Sequence, residues 1–161
     1  MLDLKLLNPN LVMVNIEAKT KAEALGKLAG RLIGEGYVKE SYLQAILERE
    51  KVFPTGLPTE GYGVAIPHTD VEHVIKPAIA LGILKNPVKF TIMGDTDLNN
   101  QVDVKILFML AIKESHMQLK LLQDIMEIIQ DSELLDKIAR AEDVKSLLQL
   151  TEQYVKDRGV N

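Results

Sequence analysis

Residues 102–112, VDVKILFMLAI, restrict the fold of this chain more than any other stretch. They begin with polar and apolar residues alternating, the period of a half-wet strand, and end in a near-continuous apolar run. A strand ending that way has no side to show to water, so its sheet must be covered on both faces. The covering material is present. TKAEALGKLAGRLIGEG opens with Thr20 and Glu23 at capping-box spacing. Its apolar stripe is Ala24, Leu25, Leu28, Leu32 and Ile33, and Gly34 and Gly36 end it. A second helix is predicted over about 40–51. After residue 115 the period is helical throughout. HMQLKLLQDIMEIIQ should bury Leu119, Leu122, Ile125, Met126 and Ile129, followed by SELLDKIAR and VKSLLQLTEQYVKDR.

Other strands are predicted at LVMVNI (11–16), at YGVAIP before His68, and at AIALGIL (78–84). VKFTIMGDTDLNN reads as a short strand and a polar turn, and FPTGLPTEG as a loop. No repeat or linker divides the chain. The expected fold class is α/β, a mixed β-sheet flanked by helices on both faces, in a single domain over 1–161. A chain of about 150 residues buries roughly 68–70% of its unfolded surface, so it needs no staples.

Composition narrows the function. With no cysteine, thiolate catalysis, thiolate metal sites and disulfides are excluded. A net charge of −4 without a Lys/Arg cluster argues against nucleic acid as a partner. No apolar run approaches the ~20 residues of a membrane span, so no membrane insertion is expected. The first residues lack the basic-then-apolar order of a signal peptide, and the expected location is the cytoplasm.

Chemistry points to the histidines, of which there are three: His68, His73 and His116. His68 follows Pro67 at the end of GVAI, and the proline stiffens the backbone that presents it. Imidazole is substantially neutral near pH 7, hence nucleophilic without a separate base. His116 follows the strand ending at Ile112, with Ser115 as the expected N-cap and Gln118 completing a capping box. There it would stand at an anion-attracting helix start. If both strands end on one side of the sheet, the two imidazoles meet. A turn-capping role for His68 stays open. HTDVEH gathers His68, Asp70, Glu72 and His73, but not at a structural-zinc spacing. His73 alone reads as a solvated residue. Arg49 ends the second helix, where it serves either the helix dipole or a phosphoryl group. Thr55 and Glu60 lie in the Pro/Gly loop, one a candidate donor to a phosphoryl oxygen, the other a candidate orienter of an imidazole.

Taken in order, Arg49-Glu50, Thr55, GVAIPH ending at His68, and His116 with Leu119 and Leu122 resemble the IIA domain of the fructose–mannitol family of the bacterial sugar phosphotransferase system. The resemblance spans about residues 5–155. It implies a phosphocarrier with no cofactor and no metal. HPr, charged from phosphoenolpyruvate through enzyme I, would phosphorylate His68, and the group would pass to a cysteine of a cognate IIB protein acting with membrane-bound IIC. His116 would stabilise the phosphoryl oxygens, and Arg49 would lie at the same site. The segment between Arg49 and His68 is a few residues longer than in mannitol-type members, which displaces Glu60 from the usual offset. The FPTGL…E..GVAIPHTD form is most similar to galactitol-type proteins. A nitrogen-type regulatory IIA module is the alternative. Phe53, Leu57 and Ile66 are the expected rim where HPr and IIB dock.

Overall fold

The 102–112 run forms the centre of a five-stranded sheet, as seen in a computed structural model that describes residues 3–95 and 99–159. Its strands are β1 (Val12–Ile16), β2 (Gly56–Leu57), β3 (Gly63–Ala65), β4 (Ala78–Thr91) and β5 (Gln101–Ala111). They lie in the order β1-β4-β5-β3-β2. β1 runs parallel to β4 and β3 parallel to β5, whereas β4–β5 and β2–β3 are antiparallel, so the sheet is mixed as expected. The helices among the described residues are α1 (Lys21–Gly34), α2 (Ser41–Val52), α3 (Ser115–Gln130), α4 (Ser132–Ala139) and α5 (Val144–Gly159), with short 3-10 turns besides.

Residue parity along the central strands decides what covers each face. Ile79, Leu81 and Ile83 of β4 join Ile106, Phe108 and Leu110 of β5 in a core completed by α3, α4 and α5. The alternate residues, Ala78, Ala80, Leu107 and Met109, pack in a second core with α1 and α2. The run that could show no face to water is covered on both.

Several local readings are corrected. AIALGIL and the strand expected in VKFTIM are one 14-residue strand, β4, broken only by a register shift between Ile83 and Val88. Part of the expected polar turn, residues 96–98, lies outside the described residues. On α3 the buried row is Leu121, Ile125, Ile128 and Ile129, while Leu119 is 62% exposed and Met126 37%. Apolar residues occupy half of that helix and spread around it, so period alone does not choose the face, and docking against Phe108 and Leu110 does. Ser115 is the first helical residue rather than the cap. Glu114 takes the N-cap position with no side-chain cap bond, because its carboxylate pairs with His116. At α1 the cap holds: Thr20 Oγ1 accepts from Glu23 N–H at 3.1 Å, and Glu23 reaches back to the N–H of Lys19.

Candidate active site

β3 lasts three residues, but the backbone stays pinned beyond it. Ile66 and Pro67 are buried, and the Pro67 carbonyl accepts from Leu110 N–H at 2.9 Å. The Leu110 carbonyl in turn accepts from the buried Tyr42 hydroxyl at 2.6 Å, which ties this edge to α2. His68 therefore leaves a fixed frame with little backbone freedom.

Its imidazole is half-buried, and Nδ1 lies 2.8 Å from the Ile66 carbonyl oxygen. A carbonyl only accepts, so Nδ1 carries the proton and Nε2 keeps a free lone pair. Burial holds the His68 pKa below its ordinary value, opposed by the Ile66 hydrogen bond and assisted by the positive charge of Arg49. The ring is thus kept neutral, in the tautomer whose free Nε2 lone pair is able to act as a nucleophile.

Arg49, in the last turn of α2, points its guanidinium at Asp70, 3.7 Å away, and lies over the Phe53 ring at 5.0 Å. Both Arg49 and Asp70 act electrostatically on His68, so the three share one neighbourhood. Glu50 is buried beside them and accepts from Thr55 N–H at 2.7 Å and from Thr55 Oγ1 at 2.8 Å. Thr55 is itself buried, and its single hydroxyl proton is spent on Glu50. That geometry makes Thr55 and Glu50 a clamp on the α2–β2 connection, not a free donor to a phosphoryl oxygen. Glu50 shows in the sequence only as the neighbour of Arg49. Asp70 shows only within HTDVEH, since its pairing with Arg49 spans 21 residues.

His116 leaves the same edge of the sheet as His68, because β3 and β5 are parallel and adjacent and each histidine follows the carboxyl end of its strand. In this structure its Nε2 faces Glu114 at 3.1 Å, its side chain is 79% exposed, and no hydrogen bond or ion pair joins it to His68. Glu60 is placed elsewhere. It precedes the opposite end of β3 and lines a cleft with Leu57, Met126, Gln130 and Ser132. Gln130 is 14 residues along α3 from His116, about 21 Å at 1.5 Å per residue. The role of orienting the His68 imidazole falls to the Ile66 carbonyl instead.

His73, expected to be solvated, hydrogen-bonds Ser41 Oγ through Nδ1 at 2.8 Å, next to a bridge between Val38 and Val74. It latches the 3-10 turn Val71–His73 to the start of α2. The Nδ1 atoms of His68 and His73 are each engaged by a separate partner, the Ile66 carbonyl and Ser41. Among the described residues no group of three ligand-type side chains is placed to hold a metal. Of the expected docking rim, Phe53 is 59% exposed and Leu57 half-buried, but Ile66 is fully buried in the core. Among the described residues, no helix is long and apolar enough to cross a membrane.

Residues 5–154 match the family model of the phosphoenolpyruvate-dependent sugar phosphotransferase system, EIIA 2. The galactitol-specific EIIA component of Escherichia coli K12 is 30% identical over 118 residues, covering 73% of this chain and 77% of that one. The fructose-specific EIIABC component of Bacillus subtilis 168 is 29% identical over 156 residues, 94% of this chain and 23% of the longer protein. Among solved structures, the fold superposes on IIA mannitol from Escherichia coli with a TM-score of 0.70 at 25% identity, covering 89% of this chain and 96% of that one. It also superposes on enzyme IIAMTL in its complex with phosphorylated enzyme IIBMTL from Escherichia coli, with a TM-score of 0.73 at 24% identity over 91% and 96% of the two chains.

Proposed function

Since the chain belongs to the EIIA 2 family of the phosphoenolpyruvate-dependent sugar phosphotransferase system, we propose that it carries a phosphoryl group on Nε2 of His68. The donor is the phosphohistidine of HPr and the acceptor a cysteine of a cognate IIB protein. The observation that carries the reading is the His68 tautomer: Nδ1–H donates to the Ile66 carbonyl and Nε2 is left free. In the first step the donor's P–N bond breaks as a P–Nε2 bond forms, and Nδ1 keeps its proton. In the second, a cysteine thiolate of IIB attacks phosphorus, and the N–P bond electrons return to the imidazole.

Positioning and charge do most of the work in such transfers. Arg49, held by Asp70 and Phe53, supplies a fixed cation beside His68. His116 supplies a second donor to the phosphoryl oxygens once it turns away from Glu114. Two relatives described above have sugar-specific names, which favours a transport pathway over a regulatory module. The 30% identity to a galactitol-specific component favours a sugar alcohol such as galactitol, entering through IIC.

The test is incubation with phosphoenolpyruvate, enzyme I and HPr, followed by intact-mass measurement and transfer to a panel of IIB proteins. One acid-labile, base-stable phosphate is expected, with forward transfer fastest to a galactitol-type IIB. His68→Ala should remove acceptance and His116→Ala should slow it by about 10- to 100-fold, which raises the barrier by about 1.4–2.7 kcal/mol. Unchanged mass with the other components active overturns the reading, and phosphorylation retained in His68→Ala moves the nucleophile.

A further inference from the structure

At the opposite end of β3 from His68 lies a cleft of about 760 Å³, lined by Asn15, Tyr62, Lys85, Lys105, Arg140 and Glu142 among others. The carrier chemistry uses none of these residues. The cleft is lined from three strands, β1, β4 and β5, and from Tyr62 just before β3, and the sheet's pairing irregularities lie on these strands. Register shifts fall between Met13 and Ile16 where β1 meets β4, between Ile83 and Val88 where β4 meets β5, and between Gly63 and Val64 where β3 meets β5. Bulges of this kind bend strands and re-aim side chains, and they gather beside functional sites. Asn15 sits within the first shift with φ of 54°, the single left-handed non-glycine residue among the described residues. Such a conformation persists only where its surroundings hold it, and it is a pointer to a site.

The charges point to the ligand. Lys85 pairs with Glu17 and Arg140 with Asp136, leaving Glu142 as the one carboxylate among the lining residues. Lys105 is half-buried, and its ammonium donates to the Lys85 carbonyl at 3.0 Å. Among the described residues no carboxylate lies within ion-pair distance of it. A cation whose one protein partner is a neutral carbonyl keeps its charge available for a charge-assisted hydrogen bond to an arriving anion. Arg140 and Tyr62 line the same cleft, which places a guanidinium beside a phenol hydroxyl. The volume falls within the range of small-molecule sites and exceeds what inorganic phosphate fills, and the Asn15 amide and Glu142 carboxylate suit hydroxyl groups.

We propose that this cleft binds a small organic phosphate, a phosphorylated sugar or polyol, with its phosphate on Lys105 and Arg140 and its hydroxyls on Asn15 and Glu142. The site is independent of the chemistry at His68, so either reading can fail without the other.

The test is an NMR titration of the ¹⁵N-labelled protein with a hexitol phosphate, inorganic phosphate and the unphosphorylated hexitol, each to about 10 mM, which reaches millimolar affinities. Saturable amide shifts are expected around Asn15, Lys85 and Lys105 with the hexitol phosphate, and at least about tenfold weaker binding of the other two. Lys105→Gln should weaken binding about tenfold and Lys105→Arg should retain it, both accepting phosphate on His68 at the wild-type rate. Absence of saturable shifts, shifts confined to the His68 edge, or equal affinity in Lys105→Gln overturns the proposal. Equal affinity for inorganic phosphate overturns the assignment of the ligand as a polyol phosphate.

Discussion

At the scale of single residues, His68 depends on groups that have no chemistry of their own. The Ile66 carbonyl selects the tautomer, Pro67 stiffens the approach, and Glu50 holds the loop that Arg49 looks across. Glu50 is the least replaceable of these. Burial raises its pKa and the two Thr55 bonds work against that, so it keeps its place by being fully bonded. Glu50→Ala leaves the buried Thr55 N–H without a partner and should destabilise the protein by about 1–3 kcal/mol. Urea midpoints measure that loss. The variant should also accept phosphate more slowly, because Arg49 is the adjacent residue; wild-type stability and rate together would mean that the clamp is idle.

At the scale of elements, β3 is too short to be stable alone and borrows order from β5. The close approach is enforced at Gly63, where an added Cβ would stand 2.2 Å from the Asp103 carbonyl oxygen. Backbone must move to admit it, so Gly63→Ala should cost about 1–3 kcal/mol. It should also lower the rate of phosphoryl acceptance, although residue 63 is five positions from the histidine. Stability lost with full acceptance would show that the β3–β5 register does not set the His68 position. α3 makes the complementary point. Its exposed Leu119 lies one turn beyond His116, apolar surface left outside the core beside the proposed site.

At the scale of the whole molecule, proton linkage connects the site to stability. The native state holds the His68 pKa below the value near 6.5 of an unfolded chain. Below about pH 6.5 the unfolded state therefore binds a proton that the native state refuses, and stability falls with pH until the native group titrates too. Above about pH 6.5 neither state holds the proton and the contribution is constant. His68→Gln should accordingly lose less stability than wild type between about pH 7 and pH 5, read from paired urea titrations. Parallel curves would mean that His68 is not desolvated. The fold itself was legible because its strongest signals are local and periodic: the apolar run of β5 demanded two covered faces, and the amphipathic stripes of α1 and α3–α5 supplied the cover. The family followed from residue order alone, and the same order put His68 and Arg49 forward as candidates. Three matters needed the tertiary structure, since each depends on residues far apart in the chain. The Leu110 and Pro67 pairing and the parallel β3–β5 register bring His68 and His116 to one edge. The α2–β2 clamp takes the Thr55 hydroxyl out of the site, and the hairpin carries Glu60 to the far end of β3. Spacing along a sequence limits which side chains can approach one another; strand register and helix docking, set by burial of the two cores, decide which ones do.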